Sequence, residues 1–390
     1  MASLKTFVVT DAPISKQIVE NNLVSSVYNY FDVDNLQKTE FTGIDNLKNI
    51  LSETDILSVN IICIMFFRSN DKRFHDIILQ NNLYFKRFLQ KNKNNLLIFT
   101  EPYEFFDYRN FIETYLKNTD PSQIKFLSSN IDLQNNNIEV KKYMTFIPYT
   151  FKRLKNGNEQ EYQPDKDFFI PAFTVRGTKF VVMHLLKYAG LLENNYYTYT
   201  GNNQNNIKTE ILNFFKSSSK FKTLEYSFDD NIDNHYIEIK EKKSGNVYYH
   251  KQFNPVLEKF YKSCRIGVVI EDFFLIGKNK NFVYHKLPNI ITEKTWLFVY
   301  FKKPFIMFQA KYFLKNFRKL GFKTFSPFIN EDYDNIDDDI ERFQTCINEM
   351  KRISSLSEKD KIILLNNLKK VCEHNFILMS KMYNKHQLIL

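Results

Sequence analysis

The order of apolar runs predicts an α/β protein in two domains, with helices closing the C-terminus. Three observations carry this expectation. Short β-branched runs alternate with amphipathic stretches from residue 5 to residue 147. A polar segment, 153–167, interrupts the alternation. Strand and helix patterns then resume until two long helical stretches end the chain. Strands that alternate with helices pack as a parallel, doubly wound sheet, because a parallel pair needs a crossover connection and a helix usually supplies it.

The elements follow in order. Lys5–Thr10 (KTFVVT) reads as a buried first strand that turns at Asp11-Ala12-Pro13. Val59–Phe67 is a second strand, and Asp71–Leu89 carries apolar residues at helical spacing. Leu96–Thr100, Ile124–Leu127 and Tyr143–Ile147 are further short strands, which together make a first domain over 1–152. Arg153–Asp167 is almost wholly polar and contains Gly157 and Pro164, so 153–167 is read as the interdomain linker. The second domain, 168–390, opens on a strand at Phe168–Val175 and a helix over Lys179–Leu192, followed by a polar, Asn-rich loop over Asn194–Asn206. Ile266–Ile270 is a buried strand closed by Glu271, Thr292–Tyr300 a helix capped by Thr292, and Pro304–Phe308 the next strand. The helical pattern from Ile340 breaks at Ser354–Ser357 and restarts over Glu358–Tyr383.

Composition narrows the function classes. With 43% hydrophobic and 25% charged residues over 390 positions the chain folds, and it is long enough for two cores. The 39 Phe and 23 Tyr accompany an abundance of Asn, Lys and Ile, a bias that AT-rich coding produces without structural demand, so the aromatics are not read as a binding signature. Cys63, Cys264, Cys346 and Cys372 form no CxxC pair, which argues against a disulfide framework or a zinc site and for a reducing, cytoplasmic setting. The N-terminus lacks a signal-peptide pattern, and no apolar run reaches bilayer length, so no membrane span is expected. A net charge of +10 favours an anionic partner, although the basic residues are spread over several segments rather than gathered in a tail.

The back half places particular residue types at strand ends. Arg176 and Lys179 follow the strand at 168–175, Glu271 ends the strand at 266–270, Glu293-Lys294 opens a helix, and Pro304-Phe305 begins the strand after it. Gly321–Phe325 (GFKTF) and Glu331-Asp332-Tyr333-Asp334 come next. In that order these segments resemble the donor-binding domain of GT-B glycosyltransferases, and among them the fucosyltransferase-like enzymes and their phage and virus relatives, a resemblance that implies two Rossmann-like domains facing a cleft. The resemblance covers residue 168 to the end and is thinner in front, where Glu101-Pro102 and Pro148-Tyr149 carry it. Ile270-Glu271-Asp272 departs from the Phe-Glu-Asn usual in fucosyltransferases, so the donor sugar is left open.

The resemblance implies transfer of a sugar from a nucleotide sugar to an acceptor hydroxyl, on a glycan or on a hydroxymethylated DNA base. A nucleotide diphosphate gains negative charge as it leaves, and fixed cations or helix N-terminal amides stabilise it. Arg176, Lys179 and Lys294 suit that task, Glu293 the ribose hydroxyls, and Glu271 the sugar or the base. A helix N-terminus alone would also favour Thr292 and Glu293, whereas two cations, Arg176 and Lys179, at a helix start are unfavourable unless an anion sits there. The acceptor needs a general base from the first domain. Glu101 is the first candidate, Asp11 the second and Asp107 the third. Asp337-Asp338-Asp339 opens a helix and fits the dipole, and with no Asp-x-Asp at the expected place no metal and no resident cofactor are anticipated. His374 is read as a helix-packing or capping residue, and Gly321–Phe325 as a tight turn packed by Phe322 and Phe325. Two rivals predict other things: a non-catalytic nucleic-acid-binding protein would cluster Lys and Arg among exposed aromatics, and a degenerate transferase with an assembly role would have lost the donor-side residues.

Overall fold

A computed structural model of the chain describes residues 4–10, 39–43, 46–53, 59–65, 71–101, 119–128, 139–142, 147, 150–151, 154, 163–174, 177–200, 255–271 and 291–387. Contacts divide it into two units, Met1–Tyr149 with Met382–Leu390, and Thr150–Lys381. All strand pairings in both units are parallel.

The first unit holds β1 (Leu4–Thr10), β2 (Thr39–Gly43), β3 (Val59–Met65), β4 (Leu96–Glu101), β5 (Ile124–Ser128) and β6 (Glu139–Lys142), with helices α1 (Leu47–Glu53) and α2 (Asp71–Lys91). The sheet order is β2-β1-β3-β4-β5-β6. The chain thus leaves β1 to one side and returns to the other, so the direction of winding reverses between β1 and β3, where open parallel sheets bind ligands. Phe85, Phe88 and Leu89 of α2 are buried with Leu97, Ile98 and Phe99 of β4, and Phe85 meets Phe99 edge to face at 6.1 Å. The last carbonyls of α2 would be orphaned in that core. Gln123 Nε2 donates to Leu89 O and Asn92 O, and Asn95 Nδ2 to Phe88 O, so side chains satisfy them.

The second unit orders its strands β10-β9-β7-β8, with β7 at Lys166–Thr174, β8 at Tyr196–Thr200, β9 at Cys264–Ile270 and β10 at Phe305–Phe308. Its helices are α3 (Gly177–Tyr188), α4 (Pro255–Ser263), α5 (Glu293–Tyr300), α6 (Phe313–Lys319), α7 (Asp339–Ser354) and α8 (Glu358–Gln387). Pro171 lies within β7, although proline cannot donate to a ladder, and the β7–β8 register shifts between Pro171 and Phe173 to accommodate it. At Gly267 a Cβ would lie 2.4 Å from the Phe298 ring, so the missing side chain is what lets α5 press against β9. Trp296 of α5 then packs on Phe322, which stacks on Phe317 of α6 at 4.5 Å. At the amino edge, Arg265 of β9 and Lys361 of α8 both pair with Asp167 of β7, while Arg265 also reaches Glu358, tying the last helix to the sheet.

Strands rich in apolar residues lie where the sequence places them, to within two residues at most ends. Three others differ. The last strand of the first sheet is Glu139–Lys142 (EVKK); of the expected run Tyr143–Ile147, Ile147 is helical and buried, and the rest lies outside the described residues. Thr39–Gly43 was not anticipated, and Tyr196–Thr200 falls inside the stretch read as a polar loop. All three are edges of their sheets among the described strands, and at an edge charged or polar residues are tolerated, so the apolar signal is weak. The sequence pattern does not predict helices α1, α4 and α6 either. Leu154, within the polar segment 153–167, is buried, and its carbonyl lies 3.4 Å from the Tyr300 hydroxyl.

Candidate functional site

In the second unit β7 connects through α3 to β8 on one side, while β9 is followed by α5 and β10 on the other. The winding reverses between β7 and β9. The carboxyl ends of these two strands form the edge at which open parallel sheets bind ligands, and the N-termini of α3 and α5 lie at that edge. Helix N-termini present unpaired N–H groups and a partial positive charge, which favours an anion.

Glu271 is the first residue past β9. Its N–H donates to Phe308 O at 3.2 Å, which continues the β9–β10 ladder and fixes the side chain at the sheet edge. Only 2% exposed, the carboxylate accepts from the Thr292 hydroxyl at 2.5 Å, from Lys294 Nζ at 3.1 Å and from the Thr295 hydroxyl at 3.5 Å. Lys294 Nζ also pairs with Glu293 at 3.4 Å and donates to Thr292 Oγ1 at 3.1 Å. Thr292 adopts extended backbone and caps α5 by accepting from the Lys294 N–H, so one hydroxyl closes the helix and joins the cluster.

The electrostatics follow from that packing. Glu293 lies in the first turn of α5, where the helix dipole favours a carboxylate. Burial pushes the Glu271 carboxyl above its ordinary value, with the neighbouring Glu293 acting the same way, while Lys294 and the Thr292 hydroxyl pull it back. Burial also raises the Tyr261 hydroxyl, and Glu293 adds to this, so Tyr261 remains a neutral phenol beside the cluster.

The sequence-predicted residues fall into three groups. Glu271, Glu293 and Lys294 are brought into direct contact. Lys179 lies in the first turn of α3, buried at 4% exposure, at the same sheet edge. Arg176, Asp11 and Asp107 lie outside the described residues, and Glu101 is the last residue of β4, aligned with Ser128 at the carboxyl end of the first sheet. The Lys294 ammonium lies 3.1 Å from Glu271 and 3.4 Å from Glu293. Thr295, which the sequence reading did not single out, belongs to the cluster. The run Thr-Glu-Lys-Thr held the signal, because hydroxyls beside a buried carboxylate supply the donors it needs.

Three motifs from the same half are structural. Phe322 and Phe325 of Gly321–Phe325 are buried, Gly321 has φ 92, and Lys323 exchanges backbone hydrogen bonds with the Asn375 side chain. His374 Nε2 lies 3.0 Å from Gly321 O, a packing contact as expected. Glu331 accepts from Phe325 N, and Asp334 accepts from Leu314 N and Lys315 N, so this acidic pair serves a turn and the start of α6. Asp338 caps α7, as the dipole argument requires. Among the described residues no group of three or more His, Cys, Asp or Glu is placed to hold a metal ion, and no helix is long and apolar enough to cross a membrane.

No family model matches the chain. No curated protein matches it either. Among solved structures the chain is similar to an E. coli trehalose-6-phosphate protein bound with UDP-2-fluoro glucose, at TM-score 0.43 and 9% identity over 99% of both chains. It is also similar to the trehalose-6-phosphate synthase OtsA, at TM-score 0.41 and 10% identity over 99% of both. The N-terminal domain of Candida albicans trehalose-6-phosphate phosphatase follows at TM-score 0.35 and 9% identity, over 99% of this chain and 98% of that one. Scores at this level fix neither a substrate nor a residue role.

Proposed function

We propose that this protein is a GT-B-type glycosyltransferase of the fucosyltransferase-like kind, which moves a sugar from a nucleotide sugar to an acceptor hydroxyl. The observation that carries the reading is the cluster of Glu271, Glu293 and Lys294 at the reversal point of the second sheet, under the N-terminus of α5. In this reading the α3 and α5 N-termini, with Lys179 and Arg176, receive the diphosphate. Lys294 holds the two carboxylates in place. Glu293 takes the ribose hydroxyls, and Glu271 fixes the segment that shapes the sugar or base pocket.

The acceptor hydroxyl attacks the anomeric carbon as the bond to the diphosphate breaks, and the nucleotide leaves with the electron pair. Glu101 takes the acceptor proton, with Asp11 and then Asp107 as alternatives. The acceptor is a glycan or a hydroxymethylated DNA base, the setting is cytoplasmic, and neither metal nor resident cofactor takes part. Thermal shift against UDP-, GDP-, CMP- and dTDP-sugars tests the donor site: a ligand at about a hundred times its dissociation constant adds about 2.7 kcal/mol. A midpoint that no nucleotide sugar moves would sink the reading.

A further inference from the structure

Past the carboxyl end of β10 the segment 311–323 carries five basic residues, Lys311, Lys315, Arg318, Lys319 and Lys323, and no acidic one. Two are paired, Lys311 with Asp337 at 2.7 Å and Arg318 with Glu331 at 3.3 Å. Lys315, Lys319 and Lys323 are exposed and have no carboxylate partner among the described residues. Lys315 and Lys319 stand one turn apart on α6, about 6 Å along its axis.

Tyr312 sits at the head of this row. Its φ is 68, a left-handed conformation that a bulky residue rarely adopts, and its N–H is anchored on Asp334 O at 2.8 Å. Tyr312 is 39% exposed, with the ammonium groups of Lys311 and Lys315 at 4.5 and 4.7 Å from the ring centroid. Backbone strain of this kind tends to collect where a side chain is held out for a ligand. The apolar residues of α6, Phe313, Leu314 and Phe317, are wholly buried in the core, so the helix turns none of them outward to sink into a bilayer.

We propose that the face running from Tyr312 to Lys323 binds a single-stranded nucleic acid. Three lysines without a carboxylate partner among the described residues, two on α6 and one just past it, complement the phosphates, and a base that displaces one of the two ammonium groups over the Tyr312 ring gains a stacking surface, the combination by which proteins hold single strands without reading sequence. Because β10 is hydrogen-bonded to β9, the head of this row and Glu271 lie at the same carboxyl edge of one sheet. A strand laid along the face therefore ends at the edge where the donor is proposed to bind. Binding at this face stands independently of sugar transfer.

Fluorescence anisotropy of a labelled oligothymidine strand tests the proposal on the full chain. Affinity should fall linearly on a log scale as salt rises, by about 0.7 per phosphate contacted. The combined Lys315→Glu, Lys319→Glu, Lys323→Glu variant should bind roughly tenfold more weakly or worse, with a flatter salt slope. Tyr312→Asn keeps a residue that tolerates the left-handed backbone but removes the ring, and it should weaken binding about tenfold at an unchanged slope. If circular dichroism shows the triple variant misfolded, Tyr312→Asn alone decides. Binding that ignores salt, variants that bind as the wild type does, or retention on phosphatidylserine vesicles without binding to the strand would each overturn the proposal. The nucleotide-sugar thermal shift scores the donor reading separately.

Discussion

Glu271 and Lys294 show why the same residue types can be read in two ways. In sequence they are an isolated carboxylate and a cation at a helix start, while in the fold they form a buried pair 3.1 Å apart, with Glu293 as a second anion. Removing Glu271 leaves the ammonium paired with Glu293 but strips the Thr292 and Thr295 hydroxyls of their buried acceptor, so Glu271→Ala should cost about 1 to 3 kcal/mol of stability. Urea unfolding would read this, and a loss under about 1 kcal/mol would mean the pair is solvated rather than buried. A second residue-scale expectation concerns Tyr196, whose hydroxyl donates to Asp165 at 2.6 Å and is thereby pushed up to about 12. A folded-state value above the ordinary one contributes stability that is complete below pH 10 and lost as pH rises towards 12. The difference in unfolding free energy between wild type and Tyr196→Phe should therefore hold constant at neutral pH and shrink across that window.

At the scale of elements, the contact between β9 and α5 positions the candidate site. It depends on Gly267, because a Cβ there would meet the Phe298 ring at 2.4 Å. Gly267→Ala forces the helix or the ring to move and should cost about 1 to 3 kcal/mol, measured as a lower denaturant midpoint at unchanged slope. Since α5 carries Glu293 and Lys294, the nucleotide-sugar thermal shift should weaken in the same variant. An unaltered shift would separate the site from this packing. The helices that sequence periodicity located best, α2, α7 and α8, are long and carry repeated apolar positions on one face. Helix α6, seven residues from Phe313 to Lys319, is too short to show a period, and its start is closed by Asp334, a residue outside its own segment.

For the whole molecule, two parallel sheets each reverse their winding once among the described strands, giving each unit one edge suited to a ligand. If the chain is a transferase of the proposed kind, activity should survive EDTA. Complete loss that manganese or magnesium restores would reveal metal ligands beyond those described. Cys264, Cys346 and Cys372 are buried, and burial pushes the thiols of Cys264 and Cys372 up to about 12. These three should resist alkylation in the native protein and react once it is unfolded, because the thiolate is the reactive form. Mass spectrometry after iodoacetamide treatment would show it, and rapid native labelling of Cys264 would contradict its buried place in β9.

By itself the sequence determined the alternation of strands and helices, the long C-terminal helices, the Thr292 cap and the placement of Glu271 and Glu293-Lys294 at strand and helix ends. These features are local, because period, cap and turn chemistry are written within a few neighbouring residues. Only the tertiary structure decided that Lys294 meets two carboxylates and a hydroxyl, that Glu331 and Asp334 serve a turn and a helix start, and that EVKK and YYTYT are strands. The reason is the same in each case: the partner that fixes the residue's state lies elsewhere in the chain. Glu271 is 23 residues from Lys294, and Asp334 is 20 from the amide it caps. An edge strand, too, becomes a strand through the neighbour it pairs with rather than through its own apolar content.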